Sequence, residues 1–251
     1  MTARVDVVFG VQQLSPGDVQ GRVVGVIDVL RASTSIAAAL ANGARAVIPL
    51  ETPEEVVNRS RQFDRAEVRL AGERKMLMVP GFDLGNSPRE YTREAVEGKT
   101  VLLTTTNGTG VLGPALQGAR DVVIASYVNF TAASAMLRTA LRGGADITIV
   151  CAGRDRQFSL EDAACAGRYV HHLTKRLQDV ELNDAAQASV LLDKKYGDHL
   201  MRLFMASMHG QALHAAGFAE DLALCATIDA FGVIPLYSDR QITKLGPDRE
   251  R

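Results

Sequence analysis

The chain of 251 residues is 47% hydrophobic and 23% charged, enough to bury a sizeable core in one large domain or two small ones. A net charge of −1 and a pI near 6.5 leave no broad basic field, which argues against a nucleic-acid or membrane-surface protein. An anionic ligand would have to be drawn in by local arginines.

The opening Met-Thr-Ala-Arg-Val-Asp-Val-Val-Phe-Gly is too short and too acidic for a signal peptide, and no apolar run approaches membrane-spanning length. Cys151, Cys165 and Cys225 stand at spacings that match no zinc pattern, so they read as reduced thiols of a cytoplasmic protein. With no repeat, low-complexity tract or Ser/Pro-rich linker, a single domain over residues 1–240 is expected, with 241–251 as a frayed tail.

In chain order, Val5–Phe9 reads as a strand and Gln12–Gln20 as a turning loop. Val23-Val24-Gly25-Val26-Ile27 is a nearly continuous β-branched run, the mark of a strand buried on both faces in a parallel sheet. Asp28 ends it and Arg31 follows. Ser33 or Thr34 then caps a helix to about Ala41, which Asn42-Gly43 stops. Ala46–Leu50 is a strand, and Thr52-Pro53-Glu54-Glu55 opens a helix to about Phe63 with a capping hydroxyl, Pro at the first position and acids on the positive dipole end. Glu67–Ala71 is the next strand. Gly72–Arg89, with its glycines and an Asn86-Ser87-Pro88 turn, is a long loop of the kind that tends to be functional. Strands follow at Thr100–Leu103, Val122–Ala125 and Ile147–Cys151, with Asn129 capping a helix to about Leu141. Ala152–Ser159 is a loop, Leu160–Leu177 a helix, and the chain to Phe218 is mostly helical, with Leu200, Leu203 and Phe204 on one face. Thr227–Phe231 and Val233–Tyr237 close as short elements. Strand–helix alternation predicts a layered α/β/α sheet, largely parallel or mixed, with helices on both faces and a helix-rich C-terminal third.

Three stretches could carry chemistry. Asp28 and Arg31 fall at the carboxyl end of a strand, where α/β sheets bind ligands, although such a pair can also merely fix a turn. Thr104-Thr105-Thr106-Asn107-Gly108-Thr109-Gly110 offers hydroxyls and glycine-freed amides for a phosphate cradle. No Lys-Ser/Thr follows, so it is not a nucleotide P-loop. Gly108–Gly113 matches the dinucleotide fingerprint, but the next strand ends in Ser126 rather than a ribose-binding acid; a plain structural turn is the other reading. Glu161-Asp162, after a loop with Arg154 and Arg156, could ligate Mg²⁺ or simply offset a helix dipole. A cysteine phosphatase is excluded because Gln157 stands six positions after Cys151, and a haloacid-type enzyme because Leu30 stands where Asp-x-Asp needs its second acid. His171-His172 and the His209/His214 pair do not share a helical face, which argues against metal pairs.

Together these motifs resemble the 2-phosphosulfolactate phosphatase family over about Val5 to Tyr237. The carrying residues are Asp28 through Thr34, Gly72-Glu73-Arg74, Pro80 through Pro88, Thr104 through Thr109, Cys151-Ala152-Gly153, Phe158 through Asp162, and Asp229 with Val233-Ile234-Pro235. The resemblance implies a Mg²⁺-dependent hydrolase that converts 2-phospho-3-sulfolactate to 3-sulfolactate and phosphate, a step toward coenzyme M. On that reading Asp28, Glu161 and Asp162 hold the metal, Asp28, Arg31, Glu73, Asn107 and Arg154 form the catalytic set, and Glu73 is a candidate to orient water. Thr105, Thr106, Asn107, Gly108, Thr109, Asn86, Ser87 and Arg89 would bind the small anionic substrate, with arginine forks gripping its several anionic groups. A homodimer is the expected assembly. The competing functions are a dinucleotide-binding oxidoreductase using Gly108–Gly113 and a non-catalytic anion-binding relative.

Overall fold

The computed structural model describes residues 3–106, 112–155, 157–177 and 179–246, which build a mixed sheet of eleven strands. In chain order these are β1 (Ala3–Val8), β2 (Val23–Ile27), β3 (Ala46–Pro49), β4 (Val68–Arg74), β5 (Leu77–Met78), β6 (Thr100–Thr104), β7 (Asp121–Ala125), β8 (Ile147–Cys151), β9 (Val180–Leu182), β10 (Pro235–Ser238) and β11 (Gln241–Lys244). The helices are α1 (Ala32–Ala41), α2 (Pro53–Ser60), α3 (Arg93–Val96), α4 (Phe130–Arg142), α5 (Leu160–Thr174), α6 (Asp184–Tyr196), α7 (Leu200–Ala206), α8 (Met208–Ala215) and α9 (Ala219–Cys225). None of them is long and apolar enough to cross a membrane.

Across the sheet the order is β5-β4-β6-β3-β11-β10-β7-β2-β8-β1-β9. β7, β2, β8, β1 and β9 form one parallel block, and β3, β6 and β4 a second. The hairpin β10–β11 is spliced between them, antiparallel within itself and to both neighbours, β7 and β3. Three successive antiparallel pairings make the blocks run in opposite senses at the seam. Twist then turns them back: six steps separate β2 from β4, and at roughly 20–25° per step the accumulated rotation is about 120–150°. The carboxyl ends of both blocks thereby come round to a common crevice.

Residue pattern explains the layers. Along β2, Val23 and Ile27 join the core that contains Leu137 of α4 and Tyr169 of α5, while Val24 and Val26 join the core that contains Ile36 and Leu40 of α1. Gly25 has no side chain because a Cβ there would lie 2.9 Å from Ile149 Cδ1. α1 is built of Ala, Ser and Thr with one Ile and one Leu, and from Ala32 through Leu40 it is buried. Apolar and small all round, it can be enclosed by the curving sheet. It touches β3, β7 and β10.

Several local expectations are corrected. Neither Ser33 nor Thr34 caps α1: Ser33 Oγ accepts from the Asp28 amide and Thr34 Oγ1 donates to Val29 O, while the Asp28 carboxylate receives the Ala32 amide at 3.3 Å. Asn129 does not cap α4 either. Its Oδ1 accepts from Ser126 N, and Asp229 supplies the acceptors for Thr131 N and Oγ1 at the start of that helix. The long loop contains β5, paired with the end of β4, and a 3₁₀ turn at Pro88–Glu90. Thr227–Phe231 is irregular. The expected frayed tail holds β11, whose Ile242 is buried in the middle of the sheet.

Candidate active site

A cavity of about 330 Å³ opens where the strand ends converge. Asp28 reaches it from the end of β2, Glu73 from β4, Thr105 and Thr106 from beyond β6, Arg154 and Asp155 from the loop after β8, Asn86 from the long loop, and His209 from α8. The β2 and β8 ends are tied together by Asp162, one turn into α5. Its Oδ1 accepts from Val29 N at 2.8 Å and its Oδ2 from Gly153 N at 3.0 Å. Gly153 has φ of +74°, and a Cβ there would run into the Gln157 carbonyl, so the tight loop carrying Arg154 requires glycine. On the other side, Glu73 Oε1 accepts from Thr106 N and Oε2 from Met76 N, both at 2.8 Å. Gly72 lets β4 approach β6 at this point, because a Cβ would collide with Thr104 O.

Buried acids set the electrostatics around Asp28. Burial pushes the Asp28 carboxyl up to about 6; the neighbouring Glu73 and Glu161 also raise it, against lowering by His209 and the Ala32 amide. Burial likewise holds Asp162 well above the usual carboxylate range, reinforced by Asp28 and Glu161. Glu161, 1% exposed, has Oε1 at 3.3 Å from His209 Nδ1, and its Oε2 is buried with no hydrogen-bond partner. Asn86 Oδ1 is in the same position. An unpartnered buried carboxylate oxygen costs several kcal/mol unless a cation or donor meets it. The acids around Asp28 and Glu161 therefore suit a hard cation. Among the described residues no group of three or more His, Cys, Asp or Glu that could hold a metal ion is found.

The sequence-predicted residues divide into those that meet and those that do not. Asp28, Glu73, Thr105, Thr106, Asn86 and Arg154 share the cavity, and Glu161 lines an adjoining one that shares Arg154, Asp155 and His209 with it. Arg31 also lines the cavity, but its charge is met: Nη1 lies 2.6 Å from Asp221 Oδ2, Nη2 donates to Met76 O, and the guanidinium stacks 4.2 Å from the Phe218 ring. Ser87 is turned away, donating to Asp221 Oδ1. Arg89 is exposed outside the cavity, where its 3₁₀ turn leaves it on the surface. Arg74 braces the loop ends through Glu51 O and Thr104 Oγ1. Asp162, expected as a metal ligand, has both oxygens engaged by backbone amides. Asn107, Gly108, Thr109 and Arg156 lie outside the described residues. Cys151 is buried and its thiol is pushed well up by burial, so no thiolate is available.

Five lining residues fall outside the expected site set, Leu30, Lys75, Met76, Asp155 and His209, and of these His209 and Lys75 bear most on the chemistry. Helical spacing considers His209 only as half of a pair with His214, whereas α8 brings its ring to within 3.3 Å of Glu161 in the first turn of α5. Lys75 sits in a two-residue turn for which its sequence gives no signal.

The sequence model of the 2-phosphosulpholactate phosphatase family matches residues 9–240. A probable 2-phosphosulfolactate phosphatase from Symbiobacterium thermophilum is 41% identical over 228 residues, covering 91% of this chain and 96% of that protein. One from Caldanaerobacter subterraneus subsp. tengcongensis is 40% identical over 218 residues, 87% and 88% of the two chains. A third, from Clostridium botulinum strain Eklund 17B, is 36% identical over 242 residues, 96% and 100%. Matched along nearly its whole length, with the convergent cavity inside the matched span, the chain belongs to the 2-phosphosulpholactate phosphatase family of phosphoric monoester hydrolases.

Proposed function

We propose that the protein hydrolyses 2-phospho-3-sulfolactate, or a closely related 2-phospho hydroxy acid, to the free hydroxy acid and phosphate, with Mg²⁺ as its cofactor. The observation that carries this reading is the buried acid cluster of Asp28 and Glu161, with its orphaned Oε2, beside a cavity whose other walls carry Arg154, Thr105 and Thr106. Asp28 and Glu161 would hold the ion. When bound it supplies charge neutralisation and polarisation of a phosphoryl oxygen.

The chain's own groups do the rest. Arg154 offers a fork to the phosphoryl oxygens, and Thr105 and Thr106 line the same cavity. Glu73 holds the Thr106 amide and the Met76 amide, so it fixes the walls in place. Asp28 is oriented at the head of α1 by the Ala32 amide on Oδ1. It acts either as nucleophile or as the group that orients the attacking water; in both cases the phosphorus–oxygen ester bond breaks, water oxygen ends on phosphate and a proton goes to the leaving alkoxide. Preorganised groups of this kind stabilise charge as it shifts onto the leaving oxygen.

The test is phosphate release from 2-phospho-3-sulfolactate with Mg²⁺ and with EDTA. Turnover that EDTA abolishes and Mg²⁺ restores is expected. Binding without turnover would leave a non-catalytic anion-binding protein, and turnover indifferent to EDTA would remove the metal from this account.

A further inference from the structure

The hairpin between β4 and β5 closes through two residues only, Lys75 and Met76, since Arg74 pairs with Leu77 across it. Their φ angles are +52° and +71°, the signs of a type I′ turn. Such turns ordinarily take Asn-Gly, Asp-Gly or Gly-Gly, because a side chain in the left-handed region crowds its own backbone. Lys-Met is held there by a braced surround. Glu73 Oε2 accepts from Met76 N, Arg31 Nη2 donates to Met76 O at 3.0 Å, and Arg31 is itself fixed by Asp221 and Phe218. Uncommon backbone conformations kept by over-determined surroundings cluster at ligand clamps.

Charge points the same way. Three cations line the cavity. Arg31 is neutralised by Asp221, and Arg154 Nε lies 3.8 Å from Asp155 Oδ2. The Lys75 ammonium meets no hydrogen-bond or ion-pair partner among the described residues. With the ion and Arg154 meeting the phosphoryl oxygens, a substrate that carries at least one further anion calls for another positive group, and a net charge of −1 over the chain cannot supply it from afar.

We propose that Lys75 is the specificity-determining residue for the substrate's second anionic group, carboxylate or sulfonate, and that Arg31 and Glu73 position it by bracing its turn. This rests on the phosphatase reading. Lys75→Asn removes the charge yet suits the turn; Lys75→Arg keeps the charge. The measurement is kcat and KM of both variants on 2-phosphosulfolactate, 2-phospholactate and p-nitrophenyl phosphate, with a melting curve for each. Lys75→Asn should lose roughly ten- to a hundredfold in kcat/KM, mostly through KM, on substrates bearing the second anion. It should leave p-nitrophenyl phosphate nearly unchanged and melt no lower than wild type, and Lys75→Arg should recover most of the loss. A loss on both hydroxy acid esters assigns the carboxylate, and a loss on phosphosulfolactate alone assigns the sulfonate. Equal losses on all three substrates, or none, overturn the proposal. If the wild type hydrolyses none of them, the phosphatase reading fails and Lys75 is read by calorimetric titration with 3-sulfolactate: binding lost in Lys75→Asn supports its role, whereas equal binding, or no binding to wild type, overturns it.

Discussion

Asp28 shows how one position serves both fold and chemistry. Its carboxylate receives the Ala32 amide at the head of α1, yet burial beside Glu161 and Glu73 pushes its pKa up to about 6. The sign of the linkage follows. A carboxyl whose folded value lies above its unfolded one favours folding while protonated, and that contribution is lost as pH rises from about 4 through about 6. The difference amounts to roughly 3 kcal/mol by the time the group is fully ionised. Asp28→Asn keeps an acceptor for Ala32 but carries no charge. In EDTA it should therefore melt several degrees above wild type at pH 8 and match it near pH 4, while having no phosphatase activity at saturating Mg²⁺. Melting curves across that range check the first part; a variant no more stable at pH 8 than wild type would show that Asp28 is not burdened by its surroundings. Full activity would remove it from both proposed roles.

At the scale of elements, the two adjacent acids of α5 have different tasks although they stand side by side in the sequence. Asp162 ties the ends of β2 and β8 through two amides, whereas Glu161 faces the adjoining cavity with one oxygen unpartnered. Replacing Asp162 by Ala leaves the Val29 and Gly153 amides without their acceptor, so at a pH where the carboxyl is neutral the metal-free protein should lose about 1–3 kcal/mol. Replacing Glu161 by Gln removes a buried charge whose Oε2 has no partner and should cost the metal-free protein little, yet abolish the rise in melting temperature that Mg²⁺ produces in wild type. Thermal melts of both variants with and without Mg²⁺ separate the two. The reverse pattern would make Asp162 rather than Glu161 the ligand, whereas the sequence alone offers both.

The whole molecule depends on a hairpin near the end of the chain. β10 and β11 join two parallel blocks, and Ile242 of β11 is fully buried against β3. A chain ending at Arg240 would expose the edges of β10 and β3 and leave the blocks unconnected in the sheet. It should fail to give a cooperative melt, while one ending at Gly246 should fold like the full chain; circular dichroism on the pair decides it. A folded chain ending at Arg240 would mean that the seam is dispensable. Such long-range matters mark the boundary of what sequence determines. β-branched runs such as Val23–Ile27 and Ile147–Cys151, the Thr52 cap and the Asn42-Gly43 stop were legible because period, propensity and capping act over a few residues. The same reasoning put Asp28 at a strand end and Thr105 and Arg154 in the loops that follow strands, and strand ends are where the cavity lies, whereas Glu73 fell in the long loop and was singled out only through the resemblance. Local pattern could not show that Arg31 would be spent on Asp221, 190 residues away, that Arg89 would face outward, or that Asp229 would take the cap expected of Asn129. Nor could it bring His209 to Glu161 or make Ile242 part of the sheet. Those placements follow from twist summed over six strand steps and from helices folded back on one another, and neither is encoded within any window of neighbouring residues.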